Sequence, residues 1–164
     1  MEGSESAFQP LHCQTKGSDM RSRLVWQDKQ ERTFVLGLDA GEEIVAALGE
    51  FAASCDLAGA ELSAHGAFER ATIGTFDLRR QEYRAIELVR PELVSLVGEL
   101  LRPEAGRPRL HLHAVLDLGG RRRGGHLLRA VVRTGLELTV VEPPLVLRHR
   151  QRPDNRLALV DPIV

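Results

Sequence analysis

From Gly59 onward the chain is a succession of short apolar runs with gaps between them too small to hold a helix, and this limits what it can fold into. Runs rich in Val, Ile, Leu, Thr and Phe cover 59–66, 69–78, 83–89, 93–102, 109–118, 124–132, 136–142 and 145–149. Arg79-Arg80-Gln81, Arg90-Pro91, Pro103-Glu104-Ala105-Gly106, Gly119-Gly120, Thr134-Gly135 and Pro143-Pro144 separate them. A parallel crossover needs about a dozen residues or more, so strands joined this closely pair antiparallel. The spacing of Leu93, Leu96, Val97, Leu100 and Leu101 also fits a helix, so 92–102 reads either way from periodicity alone.

One amphipathic helix precedes the sheet. Thr33 to Leu38 is a β-type run, and Asp39 with Glu42 three residues on is a capping-box-like entry. Ile44, Leu48, Phe51, Ala52 and Cys55 share one face, which predicts a helix over 41–56. Residues 1–30 show no periodicity and read as a flexible tail. Residues 31–150 make the domain, and 151–164 form a C-terminal extension packed on it or trailing it. One main helix flanking a large, mostly antiparallel β-sheet is α+β architecture.

Composition narrows the functional classes. A chain of 164 residues is one domain's length. No apolar run approaches the roughly 20 residues of a membrane span. The first twenty residues lack an apolar stretch, so no signal peptide is expected. Cys13 and Cys55 are the only cysteines. One falls in the polar tail and the other on the apolar helix face, which predicts a core thiol, no disulfide framework and a cytoplasmic setting. A net charge of −1 argues against general affinity for nucleic acid. The charge is uneven, however. Residues 1–106 carry 11 basic and 18 acidic side chains, hence −7, and residues 107–164 carry 11 and 5, hence +6. Arg121-Arg122-Arg123 is either a solvated loop or a weak phosphate contact.

The chemistry-bearing segment runs from Leu110 to His126. His111 and His113 are two apart on a strand, so both imidazoles project from one face, while Leu110, Leu112, Ala114 and Leu116 line the other. Gly119-Gly120 is a favoured pair for a two-residue type I′ hairpin turn. Pairing around that turn sets residue 113 opposite residue 126, so His126 joins the same face. Three imidazoles with an open position suit zinc or a similar divalent transition metal. The alternative is a sheet whose polar face merely carries histidines, and a bulge at Gly124-Gly125 would rotate His126 away.

With Leu110-His111-Leu112-His113 followed by Gly124-Gly125-His126-Leu127-Leu128, the stretch from Thr33 to Leu147 resembles the plants-and-prokaryotes conserved (PPC) domain family. Gly41-Glu42, Gly66-Ala67 with Ala71-Thr72, Leu96-x-Gly98 and Glu137 add to the resemblance. It implies that 92–102 is a strand, that the chain assembles as a homotrimer, and that the fold is similar to that of acetolactate decarboxylase, which holds zinc with three histidines. In plants the domain follows AT-hooks; this chain resembles the standalone prokaryotic kind. A departure is His65, where the family more often has an apolar residue.

These readings lead to a metal-binding homotrimeric domain with a zinc-type site at His111, His113 and His126. Its enzymatic version is a metal-dependent lyase or hydrolase acting on a small molecule, with Asp117 or Glu137 as candidate catalytic base. The alternative is a regulatory or assembly module associated with DNA through the basic C-terminal half.

Overall fold

The computed structural model describes residues 20–28, 31–77, 79–102, 108–143, 149–151 and 158–160. Strand β1 spans Arg21–Asp28 and β2 spans Glu31–Asp39, followed by helix α1, Ile44–Ser54. The remaining strands are β3 (Gly59–Asp77), β4 (Glu82–Val89), β5 (Glu92–Leu101), β6 (Arg109–Leu118), β7 (Arg121–Glu142), β8 (His149–Gln151) and β9 (Ala158–Val160). Every pairing between strands is antiparallel. The main sheet has the order β1-β2-β7-β6-β5-β3-β4, and β8 pairs with β9 separately.

A further pairing of β7 with β3 joins β3, β5, β6 and β7 into a closed circuit. The 22-residue β7 makes this closure. Its first residues pair with β6, its last with β2, and β3 accompanies it from His126 to Val141. Between the β6 and β2 stretches, the segment entering α1 fills in. Gly41 N–H donates to the Val132 carbonyl and Val132 N–H donates to that of Glu42, both at 2.9 Å.

The fold differs from expectation at two breaks. Runs 59–66 and 69–78 form one strand, β3, and Thr134-Gly135 lies inside β7 rather than at a turn. The glycines serve close approach instead. Gly66 has φ +151, and a Cβ there would sit 2.6 Å from the Gly135 carbonyl oxygen. The two strands therefore cross closely where a turn was expected, and β3 shifts register on either side of Phe68. Residues 92–101 are a strand, as the resemblance implied, with Leu96 and Leu100 inward.

The tail boundary is also displaced. Residues 21–28, placed in the tail, form β1 and pair with β2 from Arg21↔Gly37 to Asp28↔Glu31. Leu24 is buried, but the register shift between Leu24 and Trp26 breaks the alternation that would have revealed the strand. Residues 1–19 lie outside the described residues, as do 152–157 and 161–164 of the C-terminal extension.

Helix α1 presents Ile44, Ala47, Leu48, Phe51 and Ala52 to the sheet. Phe51 meets Phe34 of β2 edge-on, with ring centroids 5.3 Å apart. Burying such rings contributes about 1.5–3 kcal/mol each. The helix entry keeps half of the expected capping box. Glu42 accepts from Asp39 N–H at 2.6 Å, but the cap itself is Glu43, whose carboxylate accepts from Val45 and Ala46 N–H. At the other end Cys55 is 6% exposed and disulfide-bonded, where a core thiol was expected. A single pair of cysteines has no spacing pattern to read. The other cysteine, Cys13, lies outside the described residues. Among the described residues, no helix is long and apolar enough to cross a membrane.

Candidate metal centre

Local geometry builds the cluster. Gly119 and Gly120 have φ +60 and +90, the left-handed pair that a type I′ turn needs. From that turn β6 and β7 pair without interruption from Leu118↔Arg121 to His113↔His126. Gly124 and Gly125 lie inside this ladder opposite Val115 and Ala114, so no bulge displaces His126. Leu112, Ala114 and Leu116 point into the core. His111 and His113 therefore face outward, and His126 stands beside them.

The three rings converge. One ligating nitrogen from each lies within 4.8 Å of the others. The Nε2 atoms of His111 and His126 are 3.0 Å apart. Ring centroids are separated by 4.2 Å for His113 and His126, 4.6 Å for His111 and His126, and 5.3 Å for His111 and His113. Partial burial lowers the pKa of His113, with the nearby His111 ring adding to the effect. His126 is lowered by burial first, then by His113 and His111. Burial, then the neighbouring rings, thus disfavour a proton on His113 and His126, which keeps lone pairs free for a ligand.

A fourth residue joins the cluster. Glu99 of β5 lies directly opposite His111, and its Oε1 is 3.3 Å from His111 Nδ1. Sequence reasoning missed Glu99, because no short turn between β5 and β6 fixes their register in advance. A cavity of about 590 Å³ opens beside His111 and His113, and Glu61, Ser63, Val97, Glu99, Thr139 and Val141 contribute to its lining.

The two carboxylates named as candidate bases lie elsewhere. Asp117 accepts from Gly120 N–H at 2.7 Å and pairs with Arg122 at 3.4 Å, so it serves the hairpin turn. Glu137 sits opposite His65 on β3 and Gly37 on β2. His65 and Glu137 line a separate cavity of about 600 Å³ with Arg21 and Arg23, and neither belongs to the three-histidine cluster.

Comparison with known proteins places these features in context. The profile of the Plants and Prokaryotes Conserved (PCC) domain matches residues 27–143. No curated protein matches the chain. Among solved structures, a metal-containing protein of Archaeoglobus fulgidus is 29% identical with a TM-score of 0.72, over 84% of this chain and 99% of that one. A plant- and prokaryote-conserved (PPC) protein of Pyrococcus horikoshii is 26% identical with a TM-score of 0.71, over 81% and 93%. A protein of Ralstonia eutropha, named as a DNA-binding candidate, shares the fold at 23% identity and a TM-score of 0.70, over 79% and 91%. The α-acetolactate decarboxylase of Bacillus subtilis is more distant, with 17% identity and a TM-score of 0.49 over 66% and 51%.

Proposed function

The chain belongs to the Plants and Prokaryotes Conserved domain family, and from that premise we propose that it is a metal-binding member holding one divalent transition ion, zinc foremost, through His111, His113 and His126. The observation that carries this reading is the convergence of three imidazole nitrogens within 4.8 Å on one sheet face. The donor set fits the ion. Ligand nitrogens about 2.0–2.1 Å from a tetrahedral centre stand about 3.4 Å apart, and the Nε2 atoms of His111 and His126 are at 3.0 Å. All three donors are imidazole nitrogens, which favour zinc and its neighbours over magnesium or calcium. The relative from Archaeoglobus fulgidus, 29% identical, is described as metal-containing.

Such an ion supplies Lewis acidity at a position the three histidines leave open. His111 and His113, which would help hold it, also line the 590 Å³ cavity, and Ser63 and Thr139 would bring hydroxyl-bearing side chains to a small ligand there. Asp117 and Glu137 do not reach the cluster, so a lyase or hydrolase reading has to draw its proton-transfer group from the ligand, from water or from the cavity wall. Binding is thus the better-supported function, and catalysis is its extension. The test is metal analysis of protein purified without an affinity tag. About one equivalent is expected in the wild type and none in the triple variant with alanine at 111, 113 and 126; equal content in the two overturns the reading.

We propose a homotrimer as the assembly. The edge strand β4 exposes Ile86 at 43% and Val89 at 57%, and β5 exposes Val97 at 53%, apolar surface that favours association with another copy. Light scattering that returns one protomer mass at micromolar concentration refutes it.

Contact with nucleic acid is the second reading, and it is weak and salt-sensitive. It rests on Arg121, Arg122 and Arg123, all exposed beside the hairpin turn. Arg122 is partly neutralised by Asp117.

A further inference from the structure

We infer that Glu99 is a positioning residue of the metal centre: its carboxylate holds the proton of His111 on Nδ1 and so presents Nε2 to the ion. The inference rests on the three-histidine reading above and concerns how that site is prepared.

The cross-strand neighbours of the three histidines are unlike one another. His113 has Val97 as its β5 partner, and His126 has Gly74 as its β3 partner; neither neighbour has a polar side chain. His111 has Glu99. The Glu99 Oε1 stands 3.3 Å from His111 Nδ1, while His111 Nε2 points the other way, 3.0 Å from His126 Nε2. One ring therefore spans the two groups, with a carboxylate at one nitrogen and the cluster centre at the other.

An ionised carboxylate only accepts hydrogen bonds, so His111 Nδ1 must carry the proton in that contact. A neutral imidazole has one proton, and the Nε2 lone pair is then left for a ligand. Both side chains are only partly exposed, His111 at 41% and Glu99 at 25%, so water screens the contact less than it would in bulk solvent. Glu99 also brings a carboxylate next to a cluster whose three donors are imidazoles. A carboxylate behind a ligating histidine fixes ring orientation and raises donor basicity, and losing it typically costs roughly 10–100-fold in metal affinity.

Glu61 is an internal control. It lies directly opposite Glu99 on β3 and lines the same cavity, yet its register position is one strand further from His111. A diffuse electrostatic effect predicts similar losses from Glu61→Gln and Glu99→Gln. Positioning by a hydrogen bond predicts something else, because the amide oxygen of Gln still accepts from Nδ1–H.

The experiment has two readouts. In the first, zinc is titrated against a chromophoric chelator for the wild type, Glu99→Ala, Glu99→Gln, Glu61→Gln and His126→Ala. Glu99→Ala is expected to weaken binding by roughly 10–100-fold at unchanged stoichiometry, Glu99→Gln to recover most of that loss, and Glu61→Gln to stay near wild type. In the second, nitrogen-15 shifts of the histidine rings are read in metal-free protein near neutral pH. His111 is expected with its proton on Nδ1 in the wild type, and with a growing share on Nε2 in Glu99→Ala. Unchanged affinity in Glu99→Ala, an equal loss in Glu61→Gln, or a wild-type His111 protonated on Nε2 overturns the inference. Equal zinc binding by the wild type and His126→Ala overturns the three-histidine reading instead, and the tautomer measurement still decides the role of Glu99.

Discussion

Two places on the sheet bring a histidine opposite a glutamate on a neighbouring strand, His111 with Glu99 and His65 with Glu137. Each borders a cavity of similar volume. Around His111 two further imidazoles converge, and the site has the donors of a metal centre. The cavity beside His65 is lined instead by Arg21, Arg23, apolar side chains and glycines. The difference comes from the strands beneath. β6 and β7 pair without a shift from their turn to His113↔His126, so alternate residues accumulate on one face. β3 has register shifts flanking Phe68 in its ladder with β7, and another between Ala64 and Ala67 in its ladder with β5. His65 stands beside that disruption, opposite Glu137 of β7. A histidine–carboxylate pair is common currency on a sheet; an unbroken hairpin turns one into a cluster.

The strongest way to break this comparison is to remove donors at each place. His126→Ala is expected to lower zinc affinity by roughly 100-fold or more, since two imidazoles rarely hold the ion alone. His65→Ala is expected to leave it unchanged. Calorimetric titration checks both, and a loss at His65 equal to that at His126 would show that the two regions act together.

Backbone spacing separates the regions next. A Cβ on Gly98 would meet the His111 carbonyl oxygen at 2.5 Å, and one on Gly66 would meet that of Gly135 at 2.6 Å. Both Gly→Ala changes are expected to cost roughly 1–3 kcal/mol in thermal or denaturant unfolding. Gly98→Ala pushes β6 away and should also weaken zinc binding, whereas Gly66→Ala should spare it. Equal effects on binding would mean that the sheet transmits strain between the two places.

Acidity has a smaller effect. The pKa values of His113 and His126 are lowered in the folded chain, by burial and by neighbouring rings. Below the ordinary value of about 6.5 the unfolded chain then takes up protons that the folded chain resists. The stability of the metal-free protein is expected to fall as pH drops through that region, and zinc affinity with it. Unfolding curves between pH 7.5 and pH 5 test the sign; in the triple histidine variant this part of the slope should disappear.

The smallest expected effect lies at the hairpin tip. Arg121→Ala with Arg123→Ala is expected to lower the weak duplex DNA binding proposed above and to flatten its salt dependence, with zinc binding intact. Sequence-specific binding that survives physiological salt would instead favour the regulatory reading.

Much of the site was legible before the fold was known. Gly119-Gly120 allowed a register to be counted, and His113↔His126 is the pair that counting implied. The helix face was equally readable, since Ile44, Leu48, Phe51 and Ala52 follow helical spacing and are all buried. The carboxylates were not. Asp117 has the right parity but lies too near the turn, where Gly120 and Arg122 engage it. Glu137 was placed near the histidines by sequence, and β7 is long enough to carry it to the far part of the sheet.

What the sequence by itself determined is therefore local: alternation along β6, a two-residue turn, and the helical stripe on α1. In each, covalent geometry propagates over a few residues and leaves little choice. Tertiary structure alone decided that Glu99 faces His111, that β3 and β7 run through their glycines to close the circuit, and that Arg21–Asp28 joins the sheet. For the first two the physical reason is the same: no tight turn ties β5 to β6 or β3 to β7, so their registers follow from how Phe68, Leu96, Leu112 and Leu138 pack in one shared core. β1 is only two residues from β2, and there the register shift between Leu24 and Trp26 hid the alternation.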